Sequence, residues 1–431
     1  MKKTLSIKKI SAYVLTIFYI ILLSVPLYWI FKGDASAEES VVEARELVAL
    51  QPATNPNLTR ALQLIREGKF REGAEIILDI YMNATFVPKF ERATSDQFPF
   101  RMQVIQFSKA LERGIIRLSY SLVDDTVFPA DMTSGFYFDS KHQQLLQSVS
   151  LYNADTRHQI DERIENYSTL AQTYPDINFY VYYHQLIHNS QFHPASQYFP
   201  EADNGQSLAY FEDHLPEGIT IRKFLLTSLD DHLKYYYRTD HHWTIYGILR
   251  AYDEIYDLLS LNYATISPKL EINGLVDFPE IDFLGYYARV TFYPIEGDDF
   301  IVEDIDFPSY EMLWSGQEVE ESLRQAYFEG NYSTIPYTNQ FNEFYGKVTD
   351  LIEYTFENKT ERNLLIIGSS YRNALDPLLA SHYKKTFCID LRYYPDFSFS
   401  EFLVDHHVDD VLIVGDKVVA LQDTDYWMIG D

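Results

Sequence analysis

The chain has 431 residues, 46% hydrophobic and 16% aromatic, which supplies a large core and excludes general disorder. A formal net charge of -28 without a basic stripe excludes nucleic-acid binding, since nothing is there to neutralise phosphates; a neutral glycan, or a polymer with cationic groups, is tolerated better than a dense polyanion. One cysteine, Cys388, excludes an intramolecular disulfide and, inside the apolar run Lys385 to Asp390, reads as a buried core thiol.

Four regions follow in chain order. Residues 1–32 place Lys2, Lys3, Lys8 and Lys9 before an apolar stretch from Ile10 to Phe31, long enough to span a bilayer. The positive flank predicts a cytoplasmic N-terminus, a single-pass anchor and an extracytoplasmic remainder. A cleaved signal peptide competes with this reading, because Ala35-Ser36-Ala37 has the small residues of a cleavage site. Residues 33–57 are polar and acidic and read as a linker. Residues 58–88 carry two helical patterns around Gly68-Lys69-Phe70 and read as a helical hairpin spacer.

Residues 89–431 read as an α/β domain. Helices are expected over Gln103 to Leu118 and Ala154 to Thr173, and strands over Ile177 to Tyr183 and Arg289 to Tyr293. The acidic run Gly297 to Asp306 lacks an EF-hand spacing and reads as a solvated loop. The last third alternates strand and helix: Asn363 to Ile367, a helix with Leu375, Leu378, Leu379 and Tyr383 on one face, Thr386 to Ile389, and Asp410 to Val414. Such alternation predicts a mostly parallel sheet with helices on its faces, and a site at the carboxyl ends of its strands.

Two short runs carry the chemistry. In Leu364-Leu365-Ile366-Ile367-Gly368-Ser369-Ser370-Tyr371 a buried strand ends at a glycine that permits a sharp turn, presenting Ser370 at the start of a helix. Unpaired amides there favour an oxyanion. In Arg238-Thr239-Asp240-His241-His242-Trp243-Thr244 a carboxylate and an imidazole sit two residues apart, just before a helical pattern running from Trp243 to Leu259. A serine hydroxyl is a poor nucleophile unless an imidazole takes its proton, and the imidazole needs a carboxylate to fix its tautomer. Ser370, His242 and Asp240 are the expected nucleophile, base and orienting acid. His241 is expected to point away from the site and Trp243 to pack beneath the loop.

These runs resemble the DHHW family, relatives of the alginate O-acetyltransferases. The likeness extends to Phe90–Arg101, to Phe283-Leu284-Gly285-Tyr286-Tyr287-Ala288-Arg289 and to Ile389-Asp390-Leu391-Arg392-Tyr393-Tyr394. One departure stands at the nucleophile turn, where Ser369 occupies the position of the family's usual aspartate. The resemblance implies an SGNH-hydrolase-like three-layer fold with circularly permuted motifs, preceded by the transmembrane helix. It further implies an O-acetyltransferase acting on a cell-surface or exported polysaccharide, with acetyl groups supplied by a membrane-bound O-acyltransferase and no cofactor or metal. A carbohydrate acetyl esterase with the same triad, and a non-catalytic glycan-binding or assembly protein that keeps the fold, remain open. For the oxyanion or substrate, Arg392, Tyr371, Asn373 and Gly415 are the further candidates, all near the carboxyl ends of expected strands.

Overall fold

The computed structural model describes residues 101–121 and 131–416, apart from 134, 262–265, 320–322, 358–359 and 395–396, together with positions 64 and 69. The expected anchor, linker and hairpin spacer therefore lie outside the described residues, and among the described residues no helix is long and apolar enough to cross a membrane. The chain divides into two units, Met1–Glu112 and Arg113–Asp431. Every described strand lies in the second unit.

The centre is an eight-stranded sheet. Five of its strands are parallel: β4 (Asn178–His184), β5 (Ile219–Phe224), β11 (Asn363–Gly368), β12 (Lys385–Ile389) and β13 (Asp410–Gly415), in the spatial order β5-β4-β13-β11-β12. Three antiparallel strands extend the β12 side: β10 (Leu351–Phe356), β8 (Tyr310–Trp314) and β9 (Gln317–Glu318). The central strands read as unbroken apolar runs because both faces are covered, which parallel sheets require.

Alternation along each strand divides the core in two. Tyr180, Tyr182, Leu364, Ile366, Leu412 and Val414 face one layer, which includes Ile248, Tyr252, Ile255 and Leu259 of α5 (Ile245–Ser260) and Leu378 and Leu379 of α9 (Asp376–Ala380). Phe179, Val181, Leu365, Ile367, Val411 and Ile413 face the other, built from α2 (Ala154–Thr173), α3 (Gln206–His214) and α10 (Phe399–Asp405). Helix α2 shows why it forms there. Asn153 caps it by accepting from the Thr156 N–H at 3.0 Å, and Ile160, Arg163, Tyr167 and Leu170 make one buried stripe at helical spacing.

Two expectations fail in the middle of the chain. Arg289 to Tyr293 is not a strand, for Tyr286–Thr291 forms a short helix, α6. Tyr287 is buried, and Val290 partly buried, by packing on a separate antiparallel sheet, β1 (Asp131–Thr133), β2 (Phe136–Asp139) and β3 (Gln144–Gln147), whereas Tyr286 stays exposed. The acidic run is not a solvated loop throughout. It contains β7 (Ile301–Asp304), paired with β6 (Gly274–Asp277), and buries Asp298 and Glu303. Glu303 is held by Arg324 at 2.6 Å and by the Tyr345 hydroxyl at 2.9 Å.

Candidate active site

The serine turn starts where β11 ends. A side chain at Gly368 would meet the carbonyl of Val414 on the neighbouring strand, so only glycine lets the two backbones approach this closely. Ser370–Ala374 then form a 3₁₀ turn, followed by α9, in place of one continuous helix. Within that turn Arg372 N–H bonds to Ser369 C=O at 3.0 Å, so the amides of Ser370 and Tyr371 precede the first internal bond. The Ser369 hydroxyl makes no capping bond. Arg372 anchors the turn from below, donating to Gly368 C=O at 3.3 Å and pairing with Asp376, with both side chains buried.

The histidine loop precedes α5. Trp243, fully buried, packs beneath it against His184 and Phe224, as its size and position in the sequence suggest. A carboxylate from the acidic run fixes the loop's entry. Asp298 accepts from the Arg238 N–H at 3.0 Å, the Thr239 N–H at 2.9 Å and the Thr239 hydroxyl at 2.7 Å. Thr239 C=O in turn accepts from the Tyr287 and Ala288 amides, tying α6 to the loop.

These elements bring three of the expected residues into one line. His242 Nδ1 lies 2.6 Å from Asp240 Oδ1, and His242 Nε2 lies 2.7 Å from Ser370 Oγ. Asp240 Oδ1 also accepts from the His242 N–H at 2.8 Å, while Oδ2 accepts from the Tyr286 N–H at 2.5 Å. Gly285 has no room for a side chain, because its Cβ would collide with the Asp240 carboxylate. Burial by itself would raise the Asp240 carboxyl; the adjacent His242 and His241, with the bonds from His242 and Tyr286, override it and hold the group well below the usual carboxylate range. An ionised carboxylate only accepts, so Nδ1 carries a proton and Nε2 is left to accept from the serine. Phe341 stacks on the imidazole, with ring centres 4.0 Å apart, and closes its other face.

His241 does not point away. Its ring lies 3.9 Å from that of His242, with Nδ1 3.4 Å from Asp240 Oδ1. Burial and the neighbouring His242 push it down to about 3, so it is neutral near pH 7. Asp240, His241 and His242 have ligand atoms within 4.8 Å of one another. Asp240 Oδ1 and both His242 nitrogens already serve the serine chain and Asp240 Oδ2 holds the Tyr286 amide, so a metal ion would compete with these bonds.

The remaining candidates are engaged elsewhere. Tyr371 is buried against His184 and Trp243 and donates its hydroxyl to His241 C=O at 2.6 Å, so it buttresses the histidine loop. Asn373 is buried and donates to Gly346 C=O at 2.9 Å. The Arg392 guanidinium pairs with Asp390 at 2.6 Å, and its backbone N–H bonds the same carboxylate at 3.0 Å. Gly415 ends β13, in register with Tyr183 of β4. Tyr286, Gly285, Asp298, Phe341 and Arg372 were not singled out from sequence. The Phe283–Arg289 likeness covered Gly285 and Tyr286, and the acidic run covered Asp298 but was read as a solvated loop.

No protein-family model and no curated protein sequence matches the chain. Its fold does have counterparts, and the first is a DHHW family protein from Eubacterium siraeum, with TM-score 0.53 and 16% identity over 69% of this chain and 97% of that one. Bacillus cereus PatB1 aligns at TM-score 0.51 and 16% identity over 68% of this chain and 98% of its own. PatB1 with a sulfonyl adduct aligns at TM-score 0.51 and 17% identity, over 66% and 96%. The O-acetyltransferase domain of Pseudomonas putida AlgJ is more distant, at TM-score 0.36 and 11% identity over 66% of this chain and 91% of that one.

Proposed function

We propose that the chain is an extracytoplasmic acyl-transfer enzyme with an SGNH-hydrolase-like domain of permuted motifs, an O-acetyltransferase acting on a cell-surface or exported polysaccharide. The observation that carries the proposal is the unbroken hydrogen-bond chain from Ser370 through His242 to Asp240. The resemblance of the Asp240 and Ser370 runs to the DHHW family supports it. Ser370 Oγ attacks the acetyl carbonyl of the donor while His242 Nε2 takes its proton. Asp240 holds the imidazole in the right tautomer and stabilises its cation. The oxyanion is held by the amides that open the Ser370–Ala374 turn. Collapse expels the donor's leaving group, which takes the proton from His242. A sugar hydroxyl then attacks the acetyl-serine, His242 takes the hydroxyl's proton, and Ser370 is regenerated as it recovers one.

In this proposal residues 10–31 anchor the enzyme, its domain faces outward, and a membrane-bound O-acyltransferase supplies acetyl groups. Water in place of the sugar hydroxyl would make the same groups an esterase. The test is the fate of acetyl from p-nitrophenyl acetate, followed with an oligosaccharide present. Acetylated sugar formed in excess of free acetate supports transfer. Acetate alone at every sugar concentration overturns transfer in favour of hydrolysis.

A further inference from the structure

Arg289 lies one turn after Tyr286 on α6, on the same face, within electrostatic range of Asp240 and His241. Its guanidinium is half-buried and makes no hydrogen bond or ion pair among the described residues, and Nη1 is wholly shielded from solvent. A desolvated cation without a partner is costly. Asp240 does not relieve it: its oxygens bond His242 and the Tyr286 amide, and no ion pair joins it to Arg289. Burial pushes the guanidinium downward against the pull of Asp240, yet an arginine stays charged. Beside it, Tyr286 is 40% exposed and meets His241 edge-on, with ring centres 5.4 Å apart, leaving ring surface for a ligand.

We propose that Arg289 is a specificity-determining residue that binds an oxyanion substituent, carboxylate or phosphate, on the sugar acceptor, with Tyr286 packing against the sugar ring. This rests on the acyl-transfer reading, which supplies the sugar. Nε and Nη2, which unlike Nη1 are not shielded from solvent, present a planar fork of donors matched to two oxygens of one anion, and such a pair is strongest where water is excluded. The net charge of -28 disfavours a dense polyanion at long range, but a single anion beside an unpaired guanidinium gains more locally than screened repulsion costs.

The test is binding to the full-length Ser370→Ala chain, which cannot turn over. Glucuronate, glucose 6-phosphate and methyl glucoside are titrated by calorimetry against this chain and against the same chain carrying Arg289→Gln or Arg289→Lys. One anionic sugar should bind at least about tenfold tighter than methyl glucoside, and which one does so separates carboxylate from phosphate. The advantage should vanish with glutamine and fall several-fold with lysine, which keeps the charge but not the fork. Equal binding of all three sugars would overturn the proposal, as would an anionic advantage that survives Arg289→Gln. If the glutamine chain fails to fold by circular dichroism, an undiminished advantage with lysine overturns it. Because no turnover is read, failure of the acyl-transfer reading shows separately, in the acetyl-transfer assay on the unmodified chain.

Discussion

Asp240→Asn exposes the logic of the site, because the two oxygens it replaces have fixed and different donors. Oδ1 receives the His242 N–H and Nδ1–H, at 2.8 and 2.6 Å, and Oδ2 receives the Tyr286 N–H at 2.5 Å. Asparagine has one acceptor and one donor to offer. If its oxygen takes the His242 side, its NH₂ faces the Tyr286 N–H, and one buried donor goes unsatisfied at about 1–3 kcal/mol. If its oxygen takes the Tyr286 side, its NH₂ faces Nδ1, which must then accept. The proton moves to Nε2, where it blocks transfer from Ser370. The second arrangement is the wrong-tautomer state, and the equivalent change in a serine protease lowers turnover about 10⁴-fold, or roughly 5.5 kcal/mol. Esterase rate on p-nitrophenyl acetate should therefore fall by about 10³ to 10⁴, with a native circular dichroism spectrum. A folded Asp240→Asn protein within about tenfold of the unmodified rate would refute the assigned tautomer and with it the role of Asp240.

Gly285→Ala should cost at least about a hundredfold in rate, because the new methyl occupies the space of the Asp240 carboxylate; the substitution lies outside the reacting groups, so an unchanged rate would show that Asp240 need not stay where it is. Acid should destabilise the fold early. His184, His193, His232 and His382 are buried and pushed down, the second and fourth to about 4 and the third to about 3, so below pH 6.5 the unfolded chain binds protons that the folded chain refuses. Stability is then complete above about pH 6.5 and lost as pH falls toward 4, each histidine adding at most about 1.4 kcal/mol per pH unit; a denaturation midpoint flat from pH 7 to 4.5 would contradict this. Ser369→Asp should leave activity within about tenfold, since the native hydroxyl makes no capping bond whose loss could disturb Ser370; a folded but dead variant would mean that the turn's geometry has been misread.

The sequence made the sheet legible where strands are buried on both faces. Residues 364–368 and 411–415 are unbroken apolar runs, and Ala154–Thr173 is a helix whose stripe and bounds are plain. Ser370, His242 and Asp240 were legible because two of them share one loop and the third ends a strand. What escaped depends on contacts distant in sequence. Asp298 could not be told from its acidic neighbours, since only its burial against Arg238 and Thr239 makes it a clamp. The α6 segment looked like a strand because Tyr, Val and Thr serve equally on a helix packed against a small sheet. His241 was misplaced by assuming that neighbours diverge; the loop before α5 instead lays both rings side by side.

The most direct test is covalent. An aryl sulfonyl fluoride should add to Ser370 alone, found by peptide mass spectrometry as a single modified serine, because Nε2 of His242 stands 2.7 Å from its oxygen while Asp240 holds the other ring nitrogen at 2.6 Å. The adduct should be lost in Ser370→Ala and reduced at least a hundredfold in rate in His242→Ala. A folded, unmodified protein that stays unlabelled at Ser370, or labelling at Ser370 that proceeds equally well without His242, would contradict the assignment of this chain as a serine acyl-transfer enzyme.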